Sequence, residues 1–317
     1  MYNKAVLGKI FEKLNFQQKK TIKANLEEGH FNLLGTIAGE KVLLKVIFGR
    51  DSENWRNLQR EILAGKMISN YNSVHKSDQI HIAEVLASGK SGDALWLIRK
   101  YYEGESLSDN ATDDKLTLWG YDILKKKYLK RKRVIIPAIV ADLKSILKID
   151  KKFIRDRDNL IDVSARFKHD LESCDLNEIE RDIGFGLKKQ LNFYNENKNN
   201  YFSEKNIRVC IGDLVPSNIL LTDTNQVILS DFAFFCLDNY LLDITYLWLF
   251  LWRYPNWQKE FLANFIKNKN DRDNFRLCLI REIISLGWQK RLAKANHIWL
   301  RCLHAAGESF EAIMKVK

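Results

Sequence analysis

The 317-residue sequence predicts an α+β fold in two lobes. Three observations predict it. Strand-like segments run from about residue 22 to residue 98 and are interrupted by one long amphipathic helix. A charge-rich, helical span follows from Ser106 to about Asn206. Short apolar strands and polar turns then alternate from Ile207 to Phe232, ahead of a helical remainder. The division expected is residues 1–100 for a small lobe and 101–317 for a larger one.

In chain order, residues 1–20 have helical periodicity, with Val6, Leu7, Ile10, Phe11 and Leu14 on one face. A strand meander is expected from Ile22 to Leu26, Leu33 to Ile37 and Val42 to Phe48, turning at Ala38-Gly39-Glu40. Ser52 to Ser69 is a helix with Trp55, Leu58, Ile62 and Leu63 on its apolar face. Strands return at Ile80 to Leu86 and Ala94 to Ile98, around a turn at residues 88–93. After residue 232, an apolar helix opens near Asp243, and aromatic residues of the tail (Phe261, Phe265, Trp288, Trp299) read as core.

Composition narrows the class. With 46% hydrophobic and 29% charged residues, the chain is an ordinary globular protein. Five cysteines, Cys174, Cys210, Cys236, Cys278 and Cys302, form no Cys-x-x-Cys pair, which points away from a disulfide framework or zinc site. Its six histidines lack metal-ligand spacing. The first residues lack the apolar core of a signal peptide, and the apolar run Leu241 to Trp252 is too short to span a bilayer. A cytoplasmic protein with no transmembrane segment is expected. The formal charge of +11 fits either a solvated Lys-rich surface or an anionic partner. Seven basic residues among the nine from Lys125 to Arg133 pose the same choice: an exposed helix face, or contact with an anionic acceptor, a lipid surface or RNA.

Two places carry chemistry. Lys45 lies inside the apolar strand Val-Leu-Leu-Lys-Val-Ile, where a buried ammonium needs an anion, unless it is an edge lysine whose head reaches water. Glu61, at the edge of the apolar face of the following helix, is the candidate counter-ion. The second place is the stretch from Ile207 to Phe232. There an alternating strand ends at Asp213, a loop reaches Asn218, and Ile219 to Leu221 and Val227 to Leu229 form a hairpin across a four-residue turn. If Thr222 faces Val227, Asn218 faces Asp231, close enough for both to hold one ion. Two oxygen donors with room left for phosphate suit Mg²⁺, and Asp213 beside them is a candidate base.

Asp213-x-x-x-x-Asn218 followed by Asp231-Phe232 resembles the catalytic loop and metal-binding Asp-Phe of kinase-fold phosphotransferases. Gly-Asp-Leu and Asn-Ile-Leu-Leu are similar to the aminoglycoside phosphotransferase and choline kinase branch. That resemblance implies a bilobal protein-kinase-like fold: a small antiparallel sheet with one main helix, and a mainly helical second lobe. It implies transfer of the γ-phosphate of ATP or GTP to a hydroxyl of a small molecule such as a sugar, amino-alcohol or aminoglycoside. By the resemblance, Lys45 and Glu61 orient the α and β phosphates, Gly29 lies in the phosphate-covering loop, and Lys100 and Tyr102 present hinge backbone to the purine. Asn218 and Asp231 hold Mg²⁺, Asp213 takes the hydroxyl proton, and the insert 106–206 builds the acceptor site. Asp243 braces the catalytic loop.

One departure stands out. Ile211 occupies the place, two residues before Asp213, where the family usually has His. A weakly active or inactive nucleotide- or partner-binding protein of the same fold, and a basic RNA- or membrane-surface-binding protein, are the alternatives. Monomer and homodimer both remain open.

Overall fold

The computed structural model describes residues 3–25, 29–50, 52–109, 122–151, 160, 163–183 and 186–292. Cys302, Trp299, the side chain of Trp288 and parts of the insert 106–206 therefore lie outside the described residues.

Helix α1 (Lys4–Leu14) starts where the Asn3 side chain accepts the Ala5 and Val6 N–H groups. It stops at Asn15, whose left-handed backbone (φ 50°) forms the C-cap, so the helix ends six residues earlier than its periodicity suggests. Gln17 to Lys20 instead open β1 (Gln17–Asn25), which pairs with β2 (His30–Ile37) through two irregularities in register. Next come β3 (Glu40–Phe48), α2 (Glu53–Val74), β4 (Val85–Ser91) and β5 (Ala94–Lys100). The five strands form one antiparallel sheet in the order β1-β2-β3-β5-β4. β4 runs through most of the expected turn, because Ser88 to Ser91 keep pairing with β5 and only Gly92 and Asp93 turn.

Period-two alternation gives this sheet two apolar faces. Leu44, Val46, Phe48, Trp96 and Ile98 cluster with Leu7 and Ile10 of α1. Ile47, Leu95 and Leu97 cluster with Trp55 and Leu58 of α2, a helix capped by Ser52 Oγ on the Trp55 N–H. Lys45 and Glu61 belong to this second layer.

The second lobe contains β6 (Gly104–Ser106), α3 (Lys126–Leu129), α4 (Lys132–Ile146), α5 (Val163–Ser173), α6 (Leu176–Ile183) and α7 (Leu187–Tyr201). It continues with β7 (Ile207–Cys210), β8 (Ile219–Thr222), β9 (Val227–Leu229), β10 (Cys236–Asn239), α8 (Leu242–Phe250), α9 (Pro255–Leu262) and α10 (Lys269–Leu292). One apolar core joins α4, α7, α8 and α10 to Met67 and Ile68 of α2 and to Ile80 and Ile82, so the lobes share buried surface. Backbone bonds add to this: Leu229 N–H donates to His81 O (2.8 Å) and Ala83 N–H to Leu229 O (3.0 Å). Within the described residues, no helix is long and apolar enough to cross a membrane.

The β8–β9 hairpin differs from expectation by one residue of register. Ile219, Leu220 and Leu221 face Leu229, Ile228 and Val227, so Thr222 and Gln226 close a three-residue connection, Asp223 to Asn225. Asn225 takes a left-handed backbone (φ 70°), the residue that lets such a short turn match strand twist. Asn218 thus lies opposite Ser230, whose N–H and Oγ both donate to Asn218 O (2.9 and 3.0 Å).

Candidate active site

The one-residue slip does not take Asp231 out of the site, because the backbone bends there. Asp231 has φ 61°, a left-handed conformation unusual for a non-glycine residue, and this re-aims its side chain as the strand ends. Its Oδ1 accepts the Ala233 N–H (3.3 Å). From α2, the buried Arg60 donates to Ala233 O (2.9 Å) and to Asn57 Oδ1 (2.6 Å), tying this loop to the small lobe.

Lys45 and Glu61 meet. Lys45 Nζ lies 2.6 Å from Glu61 Oε2, with side chains only 12% and 3% exposed. The free edge of Glu61 is also used: Arg99 Nη1 donates to Glu61 Oε1 (2.9 Å). Arg99 follows from register, since it opposes Leu43 while Lys45 opposes Leu97, which puts both cations on the face toward α2. Its sequence signal was a charged residue ending an apolar strand, next to residues read only as hinge backbone. Burial by itself would push the Asp231 carboxyl up, but Lys45 and Arg99 outweigh it and hold that group below its ordinary value.

Asp213 and Asn218 are joined by a short turn at Pro216–Asn218. The Asn218 side-chain nitrogen donates to Asp213 O (2.9 Å) and Asp213 Oδ2 (3.1 Å), so its Oδ1 is not engaged by these bonds. Burial pushes Asp213 up to about 6, helped by the charge of Asp231 and opposed by Asn218, Arg166 and Tyr246. Tyr246 of α8 hydrogen-bonds this carboxylate and was not among the residues expected here.

The loop before Asp213 is held by backbone contacts. Asp243, buried in the first turn of α8, accepts the Ile211 N–H (2.7 Å) and the Gly212 N–H (2.8 Å). Ile211 itself is 1% exposed, so its side chain packs in the core while its N–H anchors the loop. Gly212 has φ 81°, and a Cβ there would lie 2.1 Å from Phe234 O. Only glycine lets these two loops approach so closely.

The remaining expected residues lie at the edges. Gly29 combines φ 62° with a bond from Phe48 N–H to its carbonyl (2.8 Å), and a Cβ would sit 2.8 Å from Phe48 Cβ. Glycine is therefore needed there for packing, and the adjoining 26–28 lie outside the described residues. Lys100 lies at the end of β5, its Nζ 5.6 Å from the centre of the Tyr102 ring. The half-buried Tyr102 lines a separate cavity of about 360 Å³ together with Gly65, Asn72, His81 and Gln226. In the basic run, Lys125 and Lys127 pair with Glu105 and Lys132 with Glu260, while Tyr128 is 4% exposed. Its one aromatic is thus core rather than a stacking surface.

An oxygen-only donor pair, Asn218 Oδ1 and the carboxylate of Asp231, fits Mg²⁺, which takes few protein ligands and completes its shell with phosphate and water. No group of three or more His, Cys, Asp or Glu residues able to hold a metal occurs among the described residues.

No family model and no curated protein sequence matches the chain. Solved structures do. The chain is similar to aminoglycoside phosphotransferase APH(4)-Ia in a ternary complex with ADP and hygromycin B, at 12% identity, with 98% of this chain and 99% of that one covered and a TM-score of 0.58. It is similar to LicA in complex with AMP (11% identity, 98% and 98% covered, TM-score 0.59). A choline/ethanolamine kinase family protein from Mesorhizobium loti gives 11% identity, 98% and 95% coverage and a TM-score of 0.56. At such identities the likeness is one of fold: the chain has the bilobal, protein-kinase-like architecture of small-molecule phosphotransferases.

Proposed function

We propose that the protein transfers the γ-phosphate of ATP or GTP to a hydroxyl of a small molecule. One observation carries this reading: Asp231 interacts electrostatically both with Lys45, which is paired with Glu61, and with Asp213, which is hydrogen-bonded to Asn218. Two of the similar structures were solved with ADP and hygromycin B and with AMP, which supports a nucleotide at these residues.

In this mechanism Lys45, fixed by Glu61, binds the α and β phosphates. Hinge backbone at Lys100 and Tyr102 takes the purine, and the chain around Gly29 covers the phosphates. Asn218 and Asp231 would hold Mg²⁺, which when bound neutralises charge on the β and γ oxygens. Asp213 orients the acceptor hydroxyl and takes its proton as the new O–P bond forms and the bond to the nucleoside diphosphate breaks. Positioning and charge stabilisation supply most of the rate, so an ordinary carboxylate suffices as base. Against an inactive protein of this fold stands the backbone bracing of Ile211 and Gly212 by Asp243, which supports the loop without the usual His. Against the surface-binding alternative stand the ion pairs of the basic run and the burial of Tyr128.

Thermal unfolding with ATP and GTP, with and without Mg²⁺, tests the reading. Ligand at about one hundred times its Kd adds about 2.7 kcal/mol, a shift of several degrees. We expect a Mg²⁺-dependent shift that Asp231→Asn abolishes. No shift with either nucleotide would sink the reading.

A further inference from the structure

Beside Asp213 a narrow cleft runs between α5, the Gly212 turn, α8 and α10. Arg166, Asp170, Gly212, Tyr246, Arg281 and Glu282 line it, and its enclosed part holds only about 30 Å³, the room of one water molecule. Its charges are not equivalent. Arg281 is spent on Asp238 and Tyr201 deep in the core. Asp170 is 4% exposed, with His169 Nδ1 at 3.7 Å, and Glu282 is 7% exposed, so both acids are buried. Burial pushes the Glu282 carboxyl up, while Arg281 and Arg166 pull it back.

Arg166 is different. It is half-buried, and its guanidinium lies 5.5 Å from the centre of the Phe234 ring, within cation–π range. Its charge acts on Asp213, Tyr246 and Glu282, yet no side chain or carbonyl among the described residues accepts a hydrogen bond from it or pairs with it within 4.0 Å. A partly desolvated guanidinium whose N–H groups have no protein acceptor is open to a ligand anion. Arg166 is therefore the cation that a bound acceptor can meet near the base.

We propose that the acceptor carries an anionic group, a carboxylate or a phosphate, close to the hydroxyl that is phosphorylated, and that Arg166 binds this group. The planar fork of arginine suits both groups bidentately. The choice rests on the phosphotransferase reading, since it names the substrate class of that same site. It also assigns the net charge of +11 a local use: attraction of an anionic acceptor as well as a nucleotide.

Calorimetric titration of the full chain, first with a non-hydrolysable nucleotide and Mg²⁺ and then with four matched sugars, tests the proposal. The sugars are glucose, glucosamine, glucuronate and glucose 6-phosphate. We expect one or both anionic sugars to bind at least ten-fold more tightly than glucose and glucosamine. Arg166→Met should bring them to the level of glucose with nucleotide binding unchanged, and Arg166→Lys should restore part of the preference. Preference for glucuronate over glucose 6-phosphate, or the reverse, identifies the anion. Tightest binding by glucosamine, an anion preference that survives Arg166→Met, or no Arg166-dependent signal with either anion overturns the proposal and leaves the nucleotide reading intact. Weakened nucleotide binding in Arg166→Met also overturns it, by moving Arg166 to the phosphate site. Absence of nucleotide binding in the wild type removes both.

Discussion

Glu61 is the keystone of the small-lobe site, and replacing it by Gln measures what the double clamp is worth. The carboxylate serves two cations with two oxygens, Lys45 at 2.6 Å and Arg99 at 2.9 Å. An amide keeps one acceptor and turns a donor toward the other cation. One charge-assisted hydrogen bond is lost and the second is weakened; such bonds contribute about 1.5–3 kcal/mol each. Breaking a fully buried pair costs about 3–5 kcal/mol. Lys45 and Arg99 keep 12% and 18% exposure, so water recovers part of that, and about 2–4 kcal/mol is expected. For a chain of this size the loss lowers Tm by about 3 to 6 °C. Calorimetric unfolding of wild type, Glu61→Gln, Arg99→Met and the double variant completes a cycle. Removing Arg99 should cost less in the Glu61→Gln background than in the wild type, with a coupling of about 1–3 kcal/mol. A Glu61→Gln protein within 1 kcal/mol of wild type, on the order of the worth of an exposed pair, would refute the clamp. Strictly additive variants would refute it equally.

Two further substitutions probe the supports of the site. Gly212→Ala must place a methyl against Phe234 O at φ 81°, so the left-handed backbone and the overpacking together should cost about 2–5 kcal/mol in thermal unfolding; an unchanged Tm would show that the two loops can separate freely. Asp142 Oδ1 accepts the His81 N–H (3.1 Å) and lies 2.9 Å from His81 Nδ1, but its Oδ2 has no partner among the described residues, and burial pushes the carboxyl up to about 6 from an ordinary 3.8. A carboxyl that binds its proton more tightly folded than unfolded contributes fully below pH 3.8 and loses that contribution as pH rises through about 6, by at most about 1.4 kcal/mol per pH unit. Asp142→Asn, a permanently neutral side chain, should therefore gain roughly 1–3 kcal/mol on wild type above pH 7 and match it near pH 4. Parallel stability–pH curves for the two proteins would count against that assignment.

Local chemistry made much of this legible from sequence. Short apolar runs announced β2, β3 and β5, and the apolar face of α2 pointed Glu61 toward the strand that carries Lys45, because such patterns are a property of each element alone. Asp213 and Asn218 are five residues apart on one short turn, so their proximity needs no long-range contact. Left-handed residues were harder to see. Asn15 ended α1 early, Asn225 shortened the hairpin turn, and Asp231 re-aimed its own side chain, and none of these carried the glycine that usually marks a positive φ.

What the sequence by itself determined is therefore most of the small-lobe elements, the ion pair between β3 and α2, and the loop that carries the candidate base. Tertiary structure alone decided how those parts are completed. Arg99 reaches Glu61 because β3 and β5 lie in a particular register; Asp243 meets Ile211 and Gly212 because α8 packs beneath the loop; and Arg166 reaches the surroundings of Asp213 because α5 lies against β10 and α10. Residues 31 to 47 positions apart share no local pattern, and only the packing of apolar faces, a sum over the whole core, brings them together.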